Sequence, residues 1–143
     1  MDISELRHKA ESGNIMAQSI LGTHYLEGID VEVDYNEAFR LLSAAAGKGA
    51  SRAAANLARM YAEGLGVSRN IGEAIRLYEA AACAGEFVAQ VALGRIYSRG
   101  NGVLADLDSA LKWYAAAAAQ EHRVEDSADL REAKAYVVNS GRQ

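Results

Sequence analysis

The chain has 143 residues, half of them apolar and 24% charged, with no proline and a single cysteine. That is enough apolar material for one continuous core and not for two, while a lone Cys83 can close no internal disulfide and build no zinc site by itself. The formal net charge of −4 excludes a nucleic-acid partner, because phosphate binding takes a dense basic surface that releases counterions.

The charge is unevenly spread. Residues 1–37 carry eight acids (Asp2, Glu5, Glu11, Glu27, Asp30, Glu32, Asp34, Glu37) against Arg7 and Lys9, whereas residues 38–117 carry nine bases against six acids. The N-terminal stretch MDISELRHKAESGN alternates charged and apolar residues, without the basic start and unbroken apolar run of a signal peptide. The longest apolar runs, such as 113–119, are mostly alanine and fall short of the roughly 20 residues that span a bilayer. The expectation is a cytoplasmic protein with no membrane contact.

In chain order, residues 3–12 come first, with Ile3, Leu6 and Ala10 on one helical stripe. From Ala17 onward the chain repeats with a period of 36, and internal periodicity decides architecture before any other feature. The units are 17–52, 53–88 and 89–124, marked by Leu21, Leu57 and Leu93, by Gly22, Ala58 and Gly94, and by Tyr25, Tyr61 and Tyr97. Ala17, Leu21 and Tyr25, spaced by four, predict a first helix of roughly 11 residues with one inward stripe. The stretches YLEGIDVEVD, YAEGLGVSRN and YSRGNGVLAD follow as turns. Gly28, Gly64 and Gly100 stand where the helix stops, and a second left-handed place is filled by Asp30, Gly66 and Gly102. Val31, Val67 and Val103 are expected to return to the core. Asp34, Asn70 and Asp106 then cap a second helix, and Glu37 and Glu73 three residues on resemble a capping box. Ala38, Leu41, Leu42 and Ala45, with their equivalents, form the buried stripe of that helix.

The small residues let helices approach closely, and AAAAA at 115–119 reads as tight helix packing. One helix pair cannot bury its face alone, and three stacked repeats are about the minimum. The predicted fold class is therefore all-α, an α/α solenoid of three repeats in a single domain over residues 1–143. Residues 1–16 supply an N-terminal half-repeat, and 125–143 supply a C-terminal cap whose helix, 126–139, points Leu130, Ala133 and Val137 inward.

Catalytic constellations are not found in the sequence. His8, His24 and His122 lie far apart, without ligand spacing, and read as surface or half-buried helix residues. Cys83, in register with Gly47 and Ala119, reads as core filler. GKG at 47–49 lacks the remainder of a phosphate loop, and Asp30, Glu32 and Asp34 lack the glycine and closing glutamate of a calcium loop. No enzyme activity, metal or cofactor is expected.

The pattern carried by Ala89, Leu93, Gly94, Tyr97, Gly100, Gly102, Val103, Asp106, Ala110, Tyr114 and Ala117 resembles the Sel-one-like repeat family, relatives of the tetratricopeptide repeats. The resemblance covers residues 17–124 and implies a right-handed α/α superhelix that binds proteins or peptides, often as a bacterial adaptor. Some members carry a disulfide within each repeat, from which this chain departs. The resemblance implies a concave groove lined by first-helix positions: Met16, Ser19, Thr23, Leu26 and Glu27, then Arg52, Ala55, Arg59, Ala62 and Glu63, then Val88, Val91, Arg95, Ser98 and Arg99.

Two readings of those arginines stand side by side. Arg52, Arg59, Arg95 and Arg99 form a basic strip, flanked by Val88 and Val91, for an acidic and partly apolar partner segment. Alternatively they are solvated arginines paired with Glu27 and Glu63, each worth less than about 1 kcal/mol. For the whole chain the leading function is a non-catalytic interaction module or adaptor, monomeric or weakly homo-oligomeric. The alternatives are an immunity or inhibitor protein that neutralises a toxin or enzyme by covering it, and a structural scaffold that associates with copies of itself.

Overall fold

The computed structural model describes residues 1–141. The last two residues assigned to the C-terminal cap, 142 and 143, lie outside the described residues. Among those described there are eight helices and no strand: α1 (Ile3–Glu11), α2 (Ile15–Glu27), α3 (Tyr35–Gly47), α4 (Ser51–Glu63), α5 (Ile71–Cys83), α6 (Phe87–Arg99), α7 (Leu107–Ala118) and α8 (Ala128–Ser140). First helices begin at Ile15, Ser51 and Phe87, and second helices at Tyr35, Ile71 and Leu107. The period of 36 thus passes unbroken from sequence into structure, as an all-α solenoid of helix-turn-helix repeats.

The turn explains the recurring tyrosine. Gly28, Gly64 and Gly100 cap the first helices in the left-handed conformation, with φ of 71°, 70° and 63°, which costs an L side chain energy and glycine none. The next left-handed place holds Gly66 at 72°, Gly102 at 86° and Asp30 at 60°, and aspartate tolerates it better than most residues. Val31, Val67 and Val103 come back half-buried. The chain then closes on itself: the N–H groups of Asp34, Asn70 and Asp106 each donate to the carbonyl of Tyr25, Tyr61 and Tyr97 at 2.9 Å.

That closure corrects the capping-box expectation. Asp34, Asn70 and Asp106 do accept from the N–H three residues on, at 3.1 Å in each case. The reciprocal bond is missing because the cap N–H already belongs to the tyrosine carbonyl. Glu37 and Glu73 turn instead to Arg40 and Arg76 one helical turn later.

The chain divides into two compact units, one spanning Met1–Leu77 and one beginning at Tyr78. In the first, Leu6, Ala10, Ala17, Leu21 and Leu41 form a buried cluster with Ile3 and Tyr25 packed on it, so α1 behaves as a lone second helix covering α2. Arg40 joins α3 to α1 through Glu11 at 2.9 Å. In the second, Val91, Tyr114, Ala117 and Ala133 are buried together, with Phe87, Tyr136 and Val137 around them. Here α8 packs on α7 and, more lightly, on α6, as α4 packs on α3 and α2 in the first unit. The C-terminal cap therefore takes the place of a further first helix.

Close backbone approach fixes the spacing inside each repeat. A Cβ on Gly22 would come within 2.8 Å of Leu42, and one on Gly94 within 2.8 Å of three ring atoms of Tyr114. A polar clasp recurs two repeats apart. The Gln18 amide donates to the Ala10 carbonyl at 3.2 Å, and Lys48 reaches Gln18 Oε1 and the Gly13 carbonyl. In the second unit Gln90 donates to the Ala82 carbonyl at 3.2 Å, and Gln120 reaches Gln90 Oε1 at 2.7 Å and the Gly85 carbonyl at 3.0 Å. Both glutamines are buried, and burial is tolerable because both ends of each amide are bonded.

Cys83 departs from expectation. It is exposed, as are Gly47 and Ala119 at the same register, because the final turn of the second helix runs past the buried Ala81 and Ala82 into solvent.

Candidate partner-binding surface

In the first unit, α2 is apolar on more than its core side. Leu21 and Leu26 point inward, but Ile15, Met16 and Ile20 are 39%, 71% and 41% exposed. With Ser19 and with Ala50, Ser51 and Arg52 at the start of α4, they line a groove of about 530 Å³. A second hollow continues from it along Thr23, His24 and Ile29. Asn56 donates to the Thr23 hydroxyl at 2.9 Å, and that hydroxyl donates to the Ser19 carbonyl, so Thr23 serves the α2–α4 contact. Arg59 spans two carboxylates, Glu27 at 3.3 Å and Glu63 at 3.2 Å. Of the two readings of this residue, the geometry shows the paired arginine.

In the second unit the expected site residues separate by role. Val88 is exposed, and Arg99 is exposed at the end of α6. Val91 is only 1% exposed, beneath Tyr114 and Ala133. Its side of α6 faces the core, so it presents nothing to a partner. Leu26 and Ala55, at 4% each, are withdrawn for the same reason. Arg95 holds α8: its guanidinium grips Glu132 at 2.9 and 3.0 Å and Asp129 at 2.6 Å. Tyr114 donates to the same Glu132 at 2.6 Å. The Arg95 guanidinium holds the Glu132 carboxyl below the usual carboxylate range, while burial and then the neighbouring Glu132 push the Tyr114 phenol up to about 12.

Sequence reasoning passed over Ile15, Ile20 and Ile29, because they lie off the stripe that defines the repeat. Their signal was legible: Ile15, Met16, Ser19 and Ile20 make a second stripe at helical spacing on one helix. It also passed over Asp129 and Glu132, since nothing local shows which arginine a C-terminal helix will meet.

Helical hairpins of this length, closed by the same glycine turn and stacked without insertion, define a helical-repeat protein of the kind that presents surfaces to other proteins. The sequence profile of the Sel1 repeat matches residues 15–49, 51–86 and 88–122, and the chain belongs to the Sel1 repeat family. Sel1 repeats serve in general as non-catalytic modules for protein interaction. Among curated proteins none is significantly similar in sequence. Among solved structures the chain is similar to a Sel1 repeat protein from Oxalobacter formigenes, with 40% identity, TM-score 0.76, and coverage of 96% of this chain and 98% of that one. It is also similar to c5321, a protective antigen of uropathogenic Escherichia coli displaying an SLR fold, with 37% identity and TM-score 0.76. That match covers 81% of this chain but 25% of that protein. Helicobacter pylori cysteine rich protein B shares the fold, at 17% identity, TM-score 0.69, and coverage of 90% and 93% of the two chains. No helix among the described residues is long and apolar enough to cross a membrane.

Proposed function

We propose that the chain is a non-catalytic module that binds a partner protein or peptide in the groove between α2 and the start of α4. The observation that carries this reading is the exposed row Ile15, Met16 and Ile20. A helix with one inward stripe presents polar residues to water, and contiguous exposed apolar residues beside a hollow mark a binding surface. The groove suits an apolar side chain on a partner segment. Arg52 stands exposed on its rim. A partly acidic partner segment remains part of the proposal, since a guanidinium grips a carboxylate with two parallel bonds. Arg59 and Arg95 already carry carboxylates of their own chain, so an acidic partner reaches them only by displacing those pairs. A cytoplasmic setting belongs to the same proposal, supported by the single cysteine.

The test compares wild type with Met16→Glu/Ile20→Glu as bait in a native-host extract. A protein retained by wild type should be lost from this variant and kept by Val88→Glu, which alters an exposed residue of the other unit. Circular dichroism should show both variants as helical as wild type. Equal retention by all three baits sinks the reading.

A further inference from the structure

The chain holds three methionines, and the fold sets them apart. Met60 is fully buried in α4, whereas Met1 and Met16 are 73% and 71% exposed. Met16 is the most exposed residue of the apolar row on α2, and it borders two hollows. One is the groove of about 530 Å³ formed with the start of α4. The other is a hollow of about 230 Å³ that Met16 and Ile20 line together with Leu6 and Lys9 of α1. A partner segment seated in either hollow takes water away from the Met16 side chain. A thioether is apolar and adaptable, which suits it to such a surface, and it is also oxidisable where solvent reaches it.

Resting on the partner site proposed above for the groove beside α2, we propose that Met16 is an oxidation site at which a peroxide switches partner binding off. The Met16 sulfur attacks one oxygen of hydrogen peroxide with a lone pair. The O–O bond breaks as the S–O bond forms, and the second oxygen leaves as water with both protons. Sulfur gives two electrons to the peroxide, and the side chain gains no charge. The sulfoxide is polar and accepts hydrogen bonds. In the free protein water satisfies it, because Met16 stands in solvent. Under an apolar partner segment it loses that solvation, which weakens binding by about tenfold or more. Met60, with no exposed surface, stays out of the reaction while the chain is folded, so the switch acts on the groove and not on the core.

The test uses the full chain and two readouts. Peptide mass spectrometry after timed exposure to hydrogen peroxide should find added oxygen on Met16 well before Met60, with unchanged helical circular dichroism. Wild type and Met16→Leu are then oxidised, freed of peroxide and used as bait in a gel-filtered native-host extract. Oxidised wild type should hold about tenfold less of the partner that untreated wild type retains. Methionine sulfoxide reductase with dithiothreitol should restore retention. Dithiothreitol alone, which returns an oxidised Cys83 to its thiol, should not. Met16→Leu keeps Met1, Met60 and Cys83 and should retain the partner before and after peroxide. Oxidation of Met16 no faster than Met60, or equal loss from oxidised Met16→Leu, overturns the proposal. So does full retention by oxidised wild type where Met16→Glu/Ile20→Glu loses the partner. Retention by Met16→Glu/Ile20→Glu as well removes the partner site itself, and the switch with it.

Discussion

One register position shows how loosely chemistry constrains a side chain whose geometry is fixed. The Tyr25 hydroxyl accepts from Arg7 at 3.1 and 3.2 Å, whereas the Tyr97 hydroxyl donates to Glu79 at 3.2 Å. Residues 7 and 79 are two periods apart and of opposite charge. A phenol donates and accepts, so either partner serves. Gly94 is constrained the other way, by volume. Because its added Cβ would meet a buried aromatic ring, Gly94→Ala is expected to destabilise by about 1–3 kcal/mol. Gly22→Ala should cost less, since Leu42 can turn aside more readily than a ring. Urea denaturation of the two variants checks the order, and equal costs would show that packing at this position is soft.

At the scale of elements, α8 is attached electrostatically as well as by apolar packing. Glu132 accepts from Arg95 and Tyr114 together, and its folded pKa is depressed by Arg95. The resulting stabilisation is present above the ordinary carboxylate value and is lost as pH falls through the depressed one. Tyr114 runs opposite. Its folded value of about 12 stands above the ordinary 10.0, so its share is complete below about 10 and lost as pH rises towards about 12. Denaturation midpoints measured against pH should fall at both ends. Glu132→Gln should flatten the acid limb and cost about 1 kcal/mol at neutral pH, while Tyr114→Phe should flatten the alkaline limb. Limbs unchanged in both variants would assign the pH dependence elsewhere. The glutamine clasps act at the same scale, tying a second helix to the first helix after it in each unit, and they sit outside the apolar stripe by which helices are read.

At the scale of the whole molecule the period itself can be tested. Excising residues 53–88 joins the first repeat to the third with every register relation preserved. Phe39 would face Tyr97 in place of Tyr61, and Tyr35 would face Gly102 in place of Gly66. Because repeat arrays gain stability from each unit and each neighbour contact, the shortened chain should keep its helicity per residue and unfold at lower denaturant. A collapsed or unfolded product would show that the repeats are not interchangeable and that the middle one has a role of its own.

Sequence alone determined the helices, their order, the turn conformations and most of the core, because each follows from spacing along the chain. A glycine must stand where the backbone turns left-handed, and an apolar residue must return every third or fourth place where a helix is buried. Tertiary structure alone decided that Arg59 and Arg95 hold carboxylates of their own chain, that Val91 faces inward while Cys83 faces water, and that Ile15, Met16 and Ile20 of α2 lie exposed in a row. These depend on what lies opposite a side chain in space. A period of 36 places equivalent residues alike without recording which side chain lies opposite each of them: residue 7, an arginine, meets Tyr25, whereas residue 79, a glutamate, meets Tyr97.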